Sequence, residues 1–259
     1  MFRDQLQEPF LIRDRMAIAE ELSEESLFGG KLRCLQPRQG YRFSVDAVLL
    51  AHFLAPEPAA RILDLGAGCG IVSLILSHRY PTASLVALEM QPRLAEVIRR
   101  NVVINSLESR VTVVEDDCRR ITTLLPPSSC DWVAANPPYY PTESGRHDPE
   151  TERAKARHEI LGGIAEMARA AAFALKSGGK GAFVYPANRS MTMLGVLREN
   201  GLEPKRLRMV HPSPGDEAAL VLVEAVKNGG EELAVLPPFF ICQEKDGAYT
   251  AEMAAMYAG

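Results

Sequence analysis

The chain has 259 residues, 47% of them hydrophobic and 24% charged, an ordinary folded composition with room for one large domain or two small ones. A formal net charge of −4 excludes holding nucleic acid by bulk charge, so any RNA contact must use local basic patches. No stretch approaches the ~20 apolar residues of a membrane span, the opening MFRDQLQEPFLIRDR lacks a signal-peptide core, and five cysteines without a C-x-x-C fit a reducing cytoplasm rather than a disulfide framework or a zinc site.

Residues 1–28 are weakly patterned; Glu20, Glu21, Glu24 and Glu25 suggest an acidic, solvated helix or tail. Gly-Gly, Pro37 and Gly40 then punctuate short alternating stretches, which predicts a hairpin or extended arm. It carries Lys31, Arg33, Arg38 and Arg42, with no acid from Lys31 until Asp46, so it reads as locally basic. DAVLLAHFL, from Asp46 to Leu54, reads as an apolar helix stopped by Pro56 and Pro58. In RILDLGAGCG an apolar strand runs through Asp64 into Gly66, Gly68 and Gly70, ahead of a helix over Ile71 to Arg79. Glycines there let the backbone turn tightly and approach a ligand. The spacing is G-x-G-x-G rather than the G-x-G-x-x-G of dinucleotide sites, which weakens a nicotinamide reading. The next strand, Ser84 to Leu88, ends in Glu89, an acid placed to take both hydroxyls of a ribose.

Gln91 to Asn105 is an amphipathic helix with Leu94, Val97, Ile98, Val102 and Ile104 on one side. The strand Val111 to Val114 ends in Glu115-Asp116-Asp117. A carboxylate at that tip could accept from the amino group of a bound adenine; Asp117 is the choice, with Asp116 left open. The strand Trp132 to Ala135 runs into Asn136-Pro137-Pro138-Tyr139. Beyond it lie a polar loop from Tyr140, a helix from Arg153 with Lys155 and Arg157 near its start, a strand over Lys180 to Tyr185 and a helix over Met191 to Asn200. Pro204 to His211 and Ala218 to Ala225 predict a closing antiparallel pair, and Leu233 to Cys242 an apolar appendage. Four successive strands thus place polar or glycine residues at their C-terminal ends, where open α/β sheets bind ligands.

The Asn-Pro-Pro-Tyr corner is the most informative stretch. Neither proline can donate to a sheet ladder, so the chain must leave the sheet at Asn136 in a stiff extended form. The Asn136 side-chain amide, the Pro137 carbonyl and the Tyr139 ring are thereby held in a constant relation. Together they can accept two hydrogens from a planar amine while an aromatic face stacks on the group that carries it.

The series DLGAGCG, Glu89, Asp117 and NPPY resembles the class I S-adenosylmethionine-dependent methyltransferases that act on amino nitrogens. With GYRFSVDAVLLAHF, ARHE, HPSPGDEA, LPPFFI and YTAEM added, the chain is similar to the bacterial tRNA1(Val) (adenine-37-N6)-methyltransferase family. The resemblance implies a Rossmann-like, seven-stranded class I sheet of the α/β class, mostly parallel with an antiparallel closing strand and helices on both faces. It implies one domain over 1–259: an N-terminal extension (1–28), an arm and helix (29–54), a cofactor-binding core (55–228) and a C-terminal appendage (229–259). S-adenosylmethionine is the implied cofactor. Asp64, Gly66, Gly68 and Gly70 would line its methionine end, Glu89 its ribose and Asp117 its adenine, with Arg42, Phe43, Asp46 and Asn136 completing the site. Asn136, Pro137, Pro138 and Tyr139 would carry the chemistry. Tyr140, Arg153, Lys155, Arg157, Lys31, Arg33 and Arg38, with Lys205, Arg206 and Arg208, would contact tRNA. No metal and no membrane are implied, and the chain is expected to act as a monomer in the cytoplasm. An N5-glutamine methyltransferase shares the corner but carries a larger domain ahead of the glycine turn; a DNA adenine methylator needs a separate target-recognition domain; an inactive cofactor-binding RNA module would not need Asn136 and Tyr139.

Overall fold

The computed structural model describes residues 22–40, 42–138 and 163–258. Strand β1 (Leu22–Leu27) pairs antiparallel with β2 (Leu32–Pro37), from Leu22 opposite Pro37 to Leu27 opposite Leu32. This corrects the expectation of a solvated helix or tail for the acidic segment. Leu22 and Leu27 are buried and anchor the strand, while Glu24 and Glu25 face the arm's own cations. The arm is therefore not an uncompensated basic surface: Glu24 takes two hydrogen bonds from Arg33 (2.6 and 2.8 Å) and Glu25 one from Arg42 (2.9 Å).

The remaining strands form one sheet: β3 (Arg61–Leu65), β4 (Ser84–Glu89), β5 (Val111–Glu115), β6 (Cys130–Ala135), β7 (Leu175–Pro186), β8 (Leu202–His211), β9 (Leu220–Lys227), β10 (Ala234–Val235) and β11 (Phe239–Phe240). Their order is β10-β8-β9-β7-β6-β3-β4-β5, with β11 also on β8. Only β9 runs antiparallel to its neighbours, inserted between β7 and β8. The seven longer strands thus match the expected mostly parallel, doubly wound sheet. The apolar segment expected as an appendage instead supplies β10 and β11, two short parallel additions to the outer side of β8.

Side chains alternate across the pleat, which assigns each strand to two apolar layers. Ile62, Trp132 and Ala134 face one layer together with helices α1 (Val45–Phe53), α2 (Ile71–Arg79) and α3 (Pro92–Ile104). Leu63, Leu65, Val133 and Ala135 face the other, packed by α4 (Ile121–Leu124), α5 (163–174) and α6 (Ser190–Glu199). The last helix, α7 (Ala251–Ala258), packs on the α1 side through Met253. Among the described residues no helix is long and apolar enough to cross a membrane, and no group of three or more His, Cys, Asp or Glu is placed to hold a metal ion.

The chain winds outward from β3 in both directions, through β4 and β5 on one side and β6 on the other. That reversal is the switch point at which such sheets open a crevice. Leu63 is fully buried there and pairs with Val133. Leu63→Ala is expected to lower stability by about 2–5 kcal/mol. Urea unfolding followed by the fluorescence of Trp132, the only tryptophan, should show an earlier midpoint with an unchanged slope.

Candidate functional site

The register of the sheet lines up the strand ends. Leu65 lies opposite Ala135 on one side and Leu88 on the other, and Glu89 lies opposite Glu115. Gly66, Asn136, Glu89 and the Asp116-Asp117 pair therefore emerge side by side from four adjacent strands. At ~4.8 Å per strand spacing, the row is on the order of 14 Å long.

The glycine turn is stapled to β4. The amides of Gly66 and Ala67 both donate to the Leu88 carbonyl (2.9 and 3.0 Å), and the Gly68 amide donates to Glu89 Oε2 (2.9 Å). Gly66, Gly68 and Gly70 take φ of 69°, 61° and 86°, left-handed values that glycine adopts without penalty. A Cβ on Gly66 would also lie 2.7 Å from the Met167 methyl of α5. A side chain there would be strained by the backbone conformation and would have to displace that methyl.

Two carboxylates are buried behind this turn. Asp64, 2% exposed, accepts from the Ser73 amide (3.1 Å) and hydroxyl (2.7 Å) in the first turn of α2. Burial pushes its pKa up to about 6 against those hydrogen bonds. Glu89, 4% exposed, also accepts from the Gln91 amide (2.9 Å), and burial again raises its pKa. Among the described residues no Lys or Arg pairs with either one. Negative charge held out of water without a cationic partner costs stability, and its position beside a ligand-sized turn marks a functional site. A cationic ligand would supply the missing charge. Each carboxylate also has lone pairs beyond those its backbone partners use.

At the third tip both acids are engaged. Asp117 caps the turn Cys118–Arg120, accepting from the Arg119 amide (2.9 Å) and Nε (2.8 Å). The Arg119 hydrogen bond, ahead of other causes, lowers its pKa. Asp116 accepts from the Asp117 amide (2.8 Å) and pairs with Arg120 (3.1 Å).

Asn136 is half-buried, Pro137 buried and Pro138 exposed. Gly163, where α5 begins, lies close to Pro138: a Cβ there would touch the proline ring at 3.4 Å. Tyr139, Tyr140, Arg153, Lys155 and Arg157 lie outside the described residues. Arg42 is turned into the arm, donating to Ser23 Oγ (2.8 Å) as well as to Glu25. The Phe43 amide is held by Gln36 Oε1 (3.2 Å), and Asp46 stands in the first turn of α1.

The expected phosphate contacts divide. Lys31 and Arg38 are exposed. Arg33 is committed to Glu24, Lys205 to the Gly230 carbonyl (3.0 Å), Arg206 to Glu224 (2.7 Å) and Arg208 to Glu252 (2.7 Å). Ser73, Gln36 and Asn101, which hold the site's parts together, escaped the sequence reading. Only Asn101 left a trace there, as a polar residue one helical repeat after Leu94 on the apolar side of its helix.

The sequence profile of the Methyltransferase small domain family matches residues 43–200. The chain is 32% identical over 174 residues to the tRNA1(Val) (adenine(37)-N6)-methyltransferase of Bacteroides fragilis (strain YCH46), covering 67% of this chain and 72% of that one. It is 28% identical over 189 residues to the protein of the same name from Porphyromonas gingivalis, covering 71% and 73%. Among solved structures, a predicted O-methyltransferase from Agrobacterium tumefaciens superposes with a TM-score of 0.67 at 24% identity, over 82% of this chain and 95% of that one. A precorrin-6y C5,15-methyltransferase from Geobacter metallireducens does so at 0.54 and 19%, over 75% and 94%; both show the fold. On the profile match over residues 43–200 and the identity to these relatives, the chain belongs to the Methyltransferase small domain family and to the tRNA1(Val) (adenine(37)-N6)-methyltransferase family.

Proposed function

We propose that this chain is an S-adenosylmethionine-dependent methyltransferase that acts on the exocyclic N6 amine of adenine in tRNA, at position 37 of the tRNA-Val anticodon loop, as a monomer in the cytoplasm. The observation that carries this reading is the pairing of Leu65 with Ala135, which sets Asn136 directly beside the glycine turn. The residues present fit the cofactor: Asp64 and the turn would hold its methionine end, Glu89 its ribose, and Asp117 its adenine, while two buried acids without cationic partners among the described residues suit its positive charge. When bound, that cofactor supplies an electrophilic methyl group.

The chain's own contribution is orientation. The lone pair of an adenine amine is delocalised into the ring, which makes it a poor nucleophile. Hydrogen bonds from the amine to the Asn136 side-chain oxygen and the Pro137 carbonyl favour a pyramidal nitrogen and free that lone pair. Tyr139 stacks on the base, an interaction of about 1–3 kcal/mol. No general base is needed first, because a methylated ammonium is strongly acidic and gives its proton to water afterwards. The rate gain is one of position. An unpaired loop offers such a base at low cost, whereas extracting one from a duplex costs a few kcal/mol.

Incubation with labelled cofactor and total tRNA, unmodified release factor or DNA in parallel should label tRNA alone, and nucleoside digestion should yield N6-methyladenosine. Label in the protein fraction would instead indicate glutamine methylation. Asn136→Ala is expected to lower kcat/KM by about 10²–10³-fold while S-adenosylhomocysteine still binds within a few-fold of the parent affinity; turnover at the parent rate rules out the mechanism. Replacing Lys31 and Arg38 together by Ala should flatten the dependence of tRNA affinity on salt by about 0.7–0.9 per lost phosphate contact, with cofactor binding unchanged.

Asp64 makes a prediction about pH. Its carboxyl has a folded-state pKa of about 6 against an ordinary 3.8, so the folded chain keeps a proton that the unfolded chain releases. The resulting stabilisation is fully present below about pH 4 and is lost as pH rises through about 6, a difference of about 3 kcal/mol. Asp64→Asn removes that titration. Urea unfolding from pH 4 to pH 8 should show a smaller decline for the variant than for the parent.

A further inference from the structure

Helix α3 and the residue that caps its C-terminal end present two asparagines, four residues apart, to the outer edge of β2. Asn101, fully buried, accepts from the Leu35 amide (2.7 Å) and donates to the Leu35 carbonyl (2.8 Å). Asn105 repeats the pattern, accepting from the Arg33 amide (3.0 Å) and donating to the Arg33 carbonyl (2.7 Å). The spacings agree: four residues of helix rise roughly 6 Å, and two residues of strand roughly 6.6 Å. The two carboxamides stand where a neighbouring strand would stand, and they satisfy an edge that would otherwise be open.

The two rungs differ in one respect. A carboxamide has two N–H hydrogens, and each asparagine uses the second differently. Asn105 returns it to its own helix, at the Asn101 carbonyl (2.7 Å). Asn101 sends it to the Cys69 carbonyl (2.9 Å), inside the glycine turn between Gly68 and Gly70. One side chain therefore touches both the arm and the turn. Other contacts run in parallel: the Cys34 and Cys69 sulfurs lie 3.9 Å apart, and a Cβ on Gly70 would meet Ile98, one turn before Asn101, at 3.1 Å.

We propose that Asn101 is a positioning residue that fixes the glycine turn with the same amide that docks the arm, so that cofactor affinity and RNA affinity depend on each other. The inference rests on the reading of the turn as the cofactor site and of the arm, through Lys31 and Arg38, as part of the tRNA surface. A cofactor that orders the Cys69 carbonyl orders the Asn101 amide, and with it Leu35. By linkage, the factor by which cofactor tightens tRNA binding equals the factor by which tRNA tightens cofactor binding.

The test measures S-adenosylhomocysteine affinity by calorimetry, and tRNA affinity with and without saturating S-adenosylhomocysteine, for the full chain, Asn101→Ala and Asn105→Ala. In the parent, S-adenosylhomocysteine should tighten tRNA binding about fivefold or more. Asn101→Ala should weaken S-adenosylhomocysteine binding about tenfold and bring the coupling ratio close to one. Asn105→Ala, which loses the arm rung but not the Cys69 bond, should bind S-adenosylhomocysteine within about twofold of the parent. Parent-like affinity and coupling in Asn101→Ala overturn the inference; so does an equal loss in Asn105→Ala, which would reduce both residues to packing. Should Asn101→Ala fail to fold, hydrogen exchange in the parent decides: slower exchange at the Leu35 amide on adding S-adenosylhomocysteine supports the link, and unchanged exchange overturns it. Failure of the parent to bind S-adenosylhomocysteine at all overturns the cofactor reading itself, a separate result.

Discussion

The parallel pairing of Leu65 with Ala135 sends two chain segments out of the sheet one strand apart. One is rich in glycine and turns tightly; the other is stiffened by Pro137 and Pro138. The first lets backbone amides and buried acids come close to a ligand. The second restricts where the Asn136 side chain can go. Their adjacency follows from the winding order of the sheet, which leaves a crevice wherever successive helices cross to opposite faces.

That arrangement is costly for the empty protein. Asp64 and Glu89 sit out of water with neutral hydrogen-bond donors and, among the described residues, no cation. Burial raises their pKa values by more than the donors lower them. The site is thus destabilised by charges that a positive ligand would relieve, the trade between stability and function expected of strained sites. By contrast, the acids nearer the surface, Asp116 and Asp117, are balanced by Arg120 and Arg119. Depth, not residue type, separates the two pairs.

Much of this was legible in the sequence because it is written in local signals. Strands that end in glycine or acid, helices with one apolar side, and two prolines after an asparagine each need only a window of ten or so residues. What escaped depends on partners far away in the chain. Leu22–Leu27 reads as a charged tail because its acids find Arg33 and Arg42 only after the hairpin has formed. Lys205, Arg206 and Arg208 look like an RNA patch until Gly230, Glu224 and Glu252 come to meet them. Asn101 is intermediate: its place on an apolar stripe was visible, but its bonds to Leu35 on β2 and to Cys69 in the glycine turn were not.

The two short strands on the outside of β8 have a consequence for life in a crowded solution. A long bare strand invites addition by a neighbouring molecule and is a starting point for fibrils. Here Pro237 and Pro238 fall between β10 and β11, and neither can offer an N–H outward. On this side the rim of the sheet is interrupted where a stranger would need an unbroken row of donors; the opposite rim is β5, a strand of only five residues.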